Sequence, residues 1–220
     1  LRQLASTDPD RKLYPEFSPY LQDSMAAETR GYFRELIDKN LNSSHLIKSD
    51  FAMINEKLAI HYGIPDVHGS QIRKVALAAD SPRGGFLTQA AILKITANGT
   101  TTSPVPRGAF VMDRLLGQPP EPPPSNVAAV EPDVRGATTI REQLAKHRDN
   151  ATCAACHAKM DPPGFALEAF DVIGWVSFGE ACGLGFGECF SKRLLLQFHL
   201  GQYVVGRAVD DAGDARDTVG

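Results

Sequence analysis

The chain has 220 residues, of which 43% are apolar and 22% are charged, and its formal net charge at pH 7 is -3. This composition is ordinary for a globular protein of one or two domains and excludes a chain that is disordered throughout. Because basic and acidic residues are mixed along the sequence, we expect no basic face for nucleic acid. The sequence contains no run of about twenty apolar residues, so no membrane span is predicted.

Residues 1–80 are predicted to form a helical segment. Between Pro15 and Leu41, apolar residues recur at helical spacing. These residues, expected to form the core side of the first helix, are Phe17, Leu21, Met25, Phe33, Leu36 and Ile37. Ser49 or Asp50 is expected to cap a second helix, which ends at Gly63. The apolar face of this second helix would consist of Phe51, Ile54 and Leu58.

The middle of the chain alternates short elements with turns. Residues 74–77 are the one strand that the pattern predicts. Helices are expected at residues 86–96 and 107–116, the second of them started by Pro104 and Pro106. The six residues 119–124 contain five prolines, so residues 118–125 are predicted to be an extended, stiff strap. Beyond the strap, helices are predicted from Thr139 and between residues 190 and 205.

Cys153-Ala154-Ala155-Cys156-His157 is a C-x-x-C-H run, the attachment motif of a c-type haem. Its two thiols would form thioether bonds to one porphyrin, and a nitrogen of His157 would bind the iron as the proximal ligand. On a helix this spacing places all three residues on one face. The alternatives are half of a zinc site, for which the other cysteines have unsuitable spacing, and a thioredoxin-like redox pair, which would follow a strand.

The sixth position of the iron decides between an electron carrier and a catalyst. His61 and Met112 are the candidate distal ligands, and the alternative roles are a capping or surface histidine and a core methionine. Met160 follows His157 by only three residues, so it is expected to pack on the proximal side. The remaining alternative is an iron that has no protein ligand at its sixth position.

Other residues are candidates for contact with the porphyrin. Arg83 and Arg107 could each pair with a propionate, although a buried arginine more often pairs with a structural carboxylate. Phe165 lies in an apolar stretch that could cover a haem face or edge. The prolines after Asp161 are expected to end the motif helix. Asp161 itself could cap the following loop and is given no chemical role.

A series of short motifs follows in an order that resembles one family. In chain order these are residues 1–4, 50–56, 58–65, 83–89, 102–108 and 115–117, the proline run, and residues 153–171. Over roughly residues 1–174 they resemble the large secreted cytochrome-like proteins of planctomycetes and related environmental bacteria. The sequence domains of those proteins are mostly of unknown function.

This resemblance implies a fragment of a longer secreted chain that carries covalent haem c, and it implies no established reaction. Residues 1–80 would be the end of a preceding domain and residues 81–175 the haem-bearing domain. Residues 176–220 form a divergent tail without an assignment. Since haem c is attached outside the bacterial cytoplasmic membrane, a periplasmic or secreted location is expected. In that oxidising compartment Cys182 and Cys189 either form a disulfide or stay free.

The sequence thus predicts a mainly α protein, in which a proline-rich strap joins a helical segment to a cytochrome c-like haem-binding domain. Its expected function is single-electron transfer through one covalent haem c. The alternative is a peroxidase- or oxygenase-like haem enzyme with an open distal site. A third interpretation makes the first part a module that binds a substrate or partner. The expected partners are other domains of the same longer chain and a redox partner of unknown identity.

Overall fold

A computed structural model describes residues 1–102, 104–121 and 151–176. Those ranges contain five α-helices and a two-stranded sheet, which confirms the prediction of a mainly α protein. The chain divides into two compact units: Leu1–Thr102 with the residues from Ala169 onward, and Ser103–Glu168. The compact units divide after Thr102 and after Glu168, so their limits differ from the sequence-domain boundaries predicted at residues 80 and 175.

Helix α1 (Pro19–Asp38) runs through the first unit. The hydroxyl of Ser18 caps it by accepting a hydrogen bond from the backbone N–H of Leu21 at 3.2 Å. Met25, Tyr32 and Leu36 lie on its buried side. The predicted core face was wrong at two residues, since Phe33 and Ile37 are exposed, Ile37 to 75%. The apolar residues of α1 thus extend beyond the face of the helix that packs against the rest of the unit.

A short antiparallel sheet follows α1. Strand β1 (Phe51–Ile54) pairs with β2 (Arg73–Ala76), with Phe51 opposite Ala76. The predicted strand at residues 74–77 is thereby confirmed. The expected helix at Phe51 was wrong, because a short buried apolar run fits a strand as well as a helix.

Helix α2 (Glu56–Tyr62) begins only after this strand. Its cap is Asn55, whose side chain accepts from the N–H of Leu58 at 3.1 Å, so the predicted caps at residues 49 and 50 were wrong. It ends, as predicted, at Gly63, where a φ of +68° favours a residue without a Cβ.

The predicted helix at residues 86–96 is divided into two elements. A 3₁₀ helix (Phe86–Thr88) is followed by helix α3 (Ala90–Ile95), and Gln89 between them is extended. Two further 3₁₀ helices span Arg2–Ala5 and Ser43–Leu46. The core of the first unit lies among α1, β1, α2 and α3, and Val172 and Ile173 complete it.

The second unit contains helix α4 (Pro104–Arg114) and helix α5 (Ala151–Ala166), which carries the C-x-x-C-H run. Helix α4 begins three residues earlier than predicted. The two helices pack closely at glycines: a Cβ at Gly108 would overlap the carbonyl oxygen of Met160, and one at Gly164 would overlap that of Pro104.

Helix α5 continues through Pro162 and Pro163, so the prediction that these prolines end the motif helix was wrong. Each proline removes one hydrogen bond to the carbonyl group four residues earlier. Those carbonyl groups belong to Ala158 and Lys159, both exposed residues. In the same part of the helix, α5 packs closely against α4.

Several predictions lie outside the described residues: the strap beyond residue 121, the helices from residue 139 and at 190–205, the tail, and the state of Cys182 and Cys189. Among the helices that are described, none combines the length and the apolar character needed to cross a membrane.

Candidate functional site

Helix α5 positions the three residues of the haem motif. Cys153, Cys156 and His157 follow at i, i+3 and i+4, and neither cysteine is in a disulfide. Cys153 is half-buried and Cys156 is exposed, whereas His157 is only 8% exposed. The two thiols are thus accessible to a reagent from solvent, and the imidazole lies on the packed side of the helix.

The ring of His157 has a specific partner. Its Nδ1 lies 2.8 Å from Oδ1 of Asp161, one helical turn further on. A carboxylate oxygen can only accept, so Nδ1 carries the hydrogen and donates it. In a neutral imidazole with this tautomer, Nε2 is the nitrogen with the lone pair, which is the form in which a histidine binds a metal.

Asp161 is the residue that the sequence analysis missed. It was expected to cap a loop, and this was wrong because the helix continues past it. The signal that could have revealed it is the separation of four residues from His157, which brings two side chains together on a helix.

Haem c, the group that the motif implies, requires two thiols and one imidazole nitrogen. The chain provides these donors on one turn of α5, with both cysteines unpaired and Nδ1 of His157 bonded to Asp161. The donor set therefore fits covalent haem c. Over residues 1–102, 104–121 and 151–176, no cluster of three or more His, Cys, Asp or Glu side chains could hold a metal ion.

Helix α4 holds two candidate residues in the same unit. Arg107 is completely buried and donates from Nη1 to the carbonyl oxygen of Leu167 at 2.8 Å. Met112 is also buried, on the side of α4 that includes Arg107 and Gly108. Phe165 is half-buried near the end of α5. The roles predicted for Arg107, Met112 and Phe165 stay predictions.

His61, the other candidate distal ligand, belongs to the first unit. It is 5% exposed, and its Nε2 donates to the carbonyl oxygen of Ile173 at 2.8 Å. Burial lowers the pKa of His61 to about 4, and the hydrogen bond to Ile173 offsets only part of this decrease. Its ring forms a T-shaped pair with that of Trp175, with ring centroids 5.6 Å apart. His61 is thus a neutral core histidine in this unit, and its assignment as a ligand stays a prediction.

Arg83 also lies in the first unit, in a buried polar network with Tyr62 and Glu28. Its guanidinium carbon is 3.7 Å from the ring centroid of Tyr62, and its two terminal nitrogens donate to the carbonyl oxygens of Thr88 and Gly174. The hydroxyl of Tyr62 donates to Oε2 of Glu28 at 2.6 Å. The partners of Arg83 seen here are structural, and its predicted contact with a propionate stays a prediction.

Burial raises the pKa of Glu28 to about 7, although Tyr62 and Arg83 both act to lower it. A cavity of about 10 Å³ adjoins this network, which is space for a single water molecule. The network was not predicted from the sequence, because its members are far apart along the chain and only the fold brings them together.

Two family models match parts of the chain. Residues 83–178 are similar to PSCyt3, described as a protein of unknown function (DUF1588), and residues 1–64 are similar to PSD4, described as a protein of unknown function (DUF1592). Comparisons with curated proteins and with solved structures give no match. The chain therefore combines segments similar to two domains of unknown function that occur in planctomycete-type multidomain proteins.

Proposed function

We propose that the chain is a c-type cytochrome module. Cys153 and Cys156 hold one haem c through thioether bonds, and His157 binds its iron through Nε2. The observation that carries this proposal is the placement of two unpaired cysteines and His157 on one turn of α5, with Nδ1 of His157 bonded to Asp161. The name of the matching family, PSCyt3, is cytochrome-like and supports the same interpretation.

Bound haem c supplies an iron that changes its charge by one electron. The chain holds this group through Cys153 and Cys156 and supplies its axial nitrogen from His157. The electron passes to or from another one-electron carrier, either a further domain of a longer chain or a separate redox protein. The compartment that fits is the periplasm or the cell exterior, where haem c is attached.

A haem enzyme with an open distal site is the second candidate, and the same hydrogen bond favours it. In such an enzyme, a carboxylate that accepts from the proximal histidine would make that histidine a more basic ligand, and a bound haem would supply the chemistry for peroxide cleavage. Such an enzyme also needs a polar distal group. His61 and Arg107 are the candidates for that group; Arg107 donates to the carbonyl oxygen of Leu167, and His61 donates to that of Ile173.

An optical spectrum of the chain, produced in a host that attaches haem c, tests the proposal. Electron transfer predicts covalent haem with a low-spin spectrum that carbon monoxide does not change, because a second protein ligand occupies the sixth position. A high-spin spectrum that responds to carbon monoxide would contradict electron transfer and favour the enzyme. A chain without covalent haem would overturn both.

A further inference from the structure

We propose that Asp161 is a positioning residue that fixes the orientation of His157 and biases the haem iron towards its ferric state. This inference rests on the proposed function, since it concerns the iron that His157 binds. It adds a residue outside the C-x-x-C-H motif to the site, and it assigns to that residue a measurable property of the module.

The first support is the geometry of the pair. The two side chains meet at 2.8 Å and are 10% and 2% exposed, His157 first. A hydrogen bond removed from water in this way is electrostatically stronger than one at the surface. An acceptor so buried is also not readily replaced by a water molecule.

The second support is the rigidity of the helix that carries the pair. Met160 precedes Asp161 and touches Gly108, and Gly164, three residues after Asp161, lies against Pro104. These contacts hold α5 against α4 on both sides of the carboxylate. Because His157 and Asp161 lie on one turn of this packed helix, the ring cannot rotate without loss of the hydrogen bond.

The consequence for the iron follows from charge. A carboxylate that accepts the Nδ1 hydrogen makes the imidazole a more basic ligand. A more electron-rich ligand stabilises ferric over ferrous iron, and hydrogen bonding around the axial ligand is one means by which a protein sets the potential. The wild-type module should therefore have a lower reduction potential than a variant with a neutral acceptor.

The test compares reduction potentials of three haem-loaded variants with that of the wild type. In Asp161→Asn the acceptor loses its charge, and we expect a positive shift of the potential. In Asp161→Glu the charge is kept on a longer side chain, and we expect a potential between those of the wild type and Asp161→Asn. Asp113→Asn is the matched control, because Asp113 lies on α4 and pairs with Arg114 at 2.9 Å; its potential should equal that of the wild type.

Equal potentials for the wild type and Asp161→Asn, both carrying covalent haem, would overturn the role of Asp161 and leave the cytochrome function intact. A shift in Asp113→Asn as large as that in Asp161→Asn would overturn it as well, since any lost charge would then suffice. A wild-type chain without covalent haem would instead overturn the proposed function, and the role of Asp161 with it.

A second measurement decides the matter where Asp161→Asn does not fold. The reduced, haem-loaded wild type under carbon monoxide is diamagnetic, so ¹⁵N-histidine labelling allows the ring hydrogen of His157 to be observed by NMR. We expect an Nδ1 hydrogen that exchanges slowly with solvent. A hydrogen that exchanges as fast as that of an exposed histidine would overturn the proposal.

Discussion

The surroundings of His157 and His61 differ in a way that burial alone does not reveal. The two residues are 8% and 5% exposed, and each ring donates one hydrogen bond of 2.8 Å. His157 donates from Nδ1 to a carboxylate four residues away, whereas His61 donates from Nε2 to a carbonyl oxygen 112 residues away. The hydrogen bond of His157 is thus local to one helix, whereas that of His61 joins two segments of the core that are distant in sequence.

We expect the largest loss of stability from a substitution in the buried polar network near His61. Arg83 binds the carbonyl oxygen of Gly174, next to the acceptor of His61, and lies over the ring of Tyr62. Arg83→Met leaves the carbonyl oxygens of Thr88 and Gly174 without their donor and removes the buried positive charge near Glu28. We expect a loss of about 4 kcal/mol in the free energy of unfolding, measured by urea denaturation.

Arg114→Met is the matched control, since the side chain of Arg114 is 69% exposed and pairs with its neighbour Asp113. Its effect should stay within about 0.5 kcal/mol. Similar losses for Arg83→Met and Arg114→Met would contradict the structural role given to the buried network.

We expect a smaller loss of stability from a substitution at the contact between α4 and α5, the helix that carries His157. In Gly108→Ala the added Cβ overlaps the carbonyl oxygen of Met160, so α4 and α5 must separate. We expect a destabilisation of about 3 kcal/mol and faster hydrogen exchange in α5. In the control Gly117→Asn, the position has φ +63° and open space around its Cβ. Because asparagine tolerates this backbone region, the cost should stay below about 1 kcal/mol, and equal effects would argue against close packing.

The pH dependence of stability sharpens the comparison. The pKa of His61 falls to about 4 on folding, so the unfolded chain binds more protons below pH 6.5 and acid destabilises the fold. The pKa of Glu28 rises to about 7, so the folded chain binds more protons above pH 4.5 and stability is lost as the pH rises through 7. Between pH 7 and pH 5, each effect amounts to about 2 kcal/mol, with opposite sign.

These two effects nearly cancel in the wild type, and single variants separate them. From pH 7 to pH 5, His61→Gln should become more stable relative to the wild type and Glu28→Gln less stable, by about 2 kcal/mol in each case. Urea denaturation at the two pH values measures this. Parallel curves for the wild type and both variants would show that neither residue titrates differently in the folded chain.

The smallest effect on stability is expected at Met112. Met112→Leu nearly conserves volume on the buried side of α4 and should cost less than about 1.5 kcal/mol. Since Met112 shares a unit with His157 while Nε2 of His61 is engaged, we expect Met112→Leu to allow carbon monoxide binding and His61→Gln not to. The reverse result would identify His61 as the distal ligand.

Much of the motif helix could be predicted from the sequence, because the spacing of Cys153, Cys156 and His157 is local and its chemistry is specific. Asp161 was within reach of the same reasoning, but two prolines favoured an early helix end, and packing against α4 prevents it. The network of Glu28, Tyr62 and Arg83 could not be predicted, since only tertiary structure brings it together. Strand β1 shows the same limit, because its pairing with β2 decides between two interpretations of one apolar run.

The mass of the intact chain after export in a host with haem c maturation tests the central claim most directly. The account predicts that denatured wild type keeps the added mass of one haem, and that the double variant Cys153→Ser, Cys156→Ser loses all of it. Wild type without the added mass, or a double variant that retains it, would contradict covalent attachment at Cys153 and Cys156.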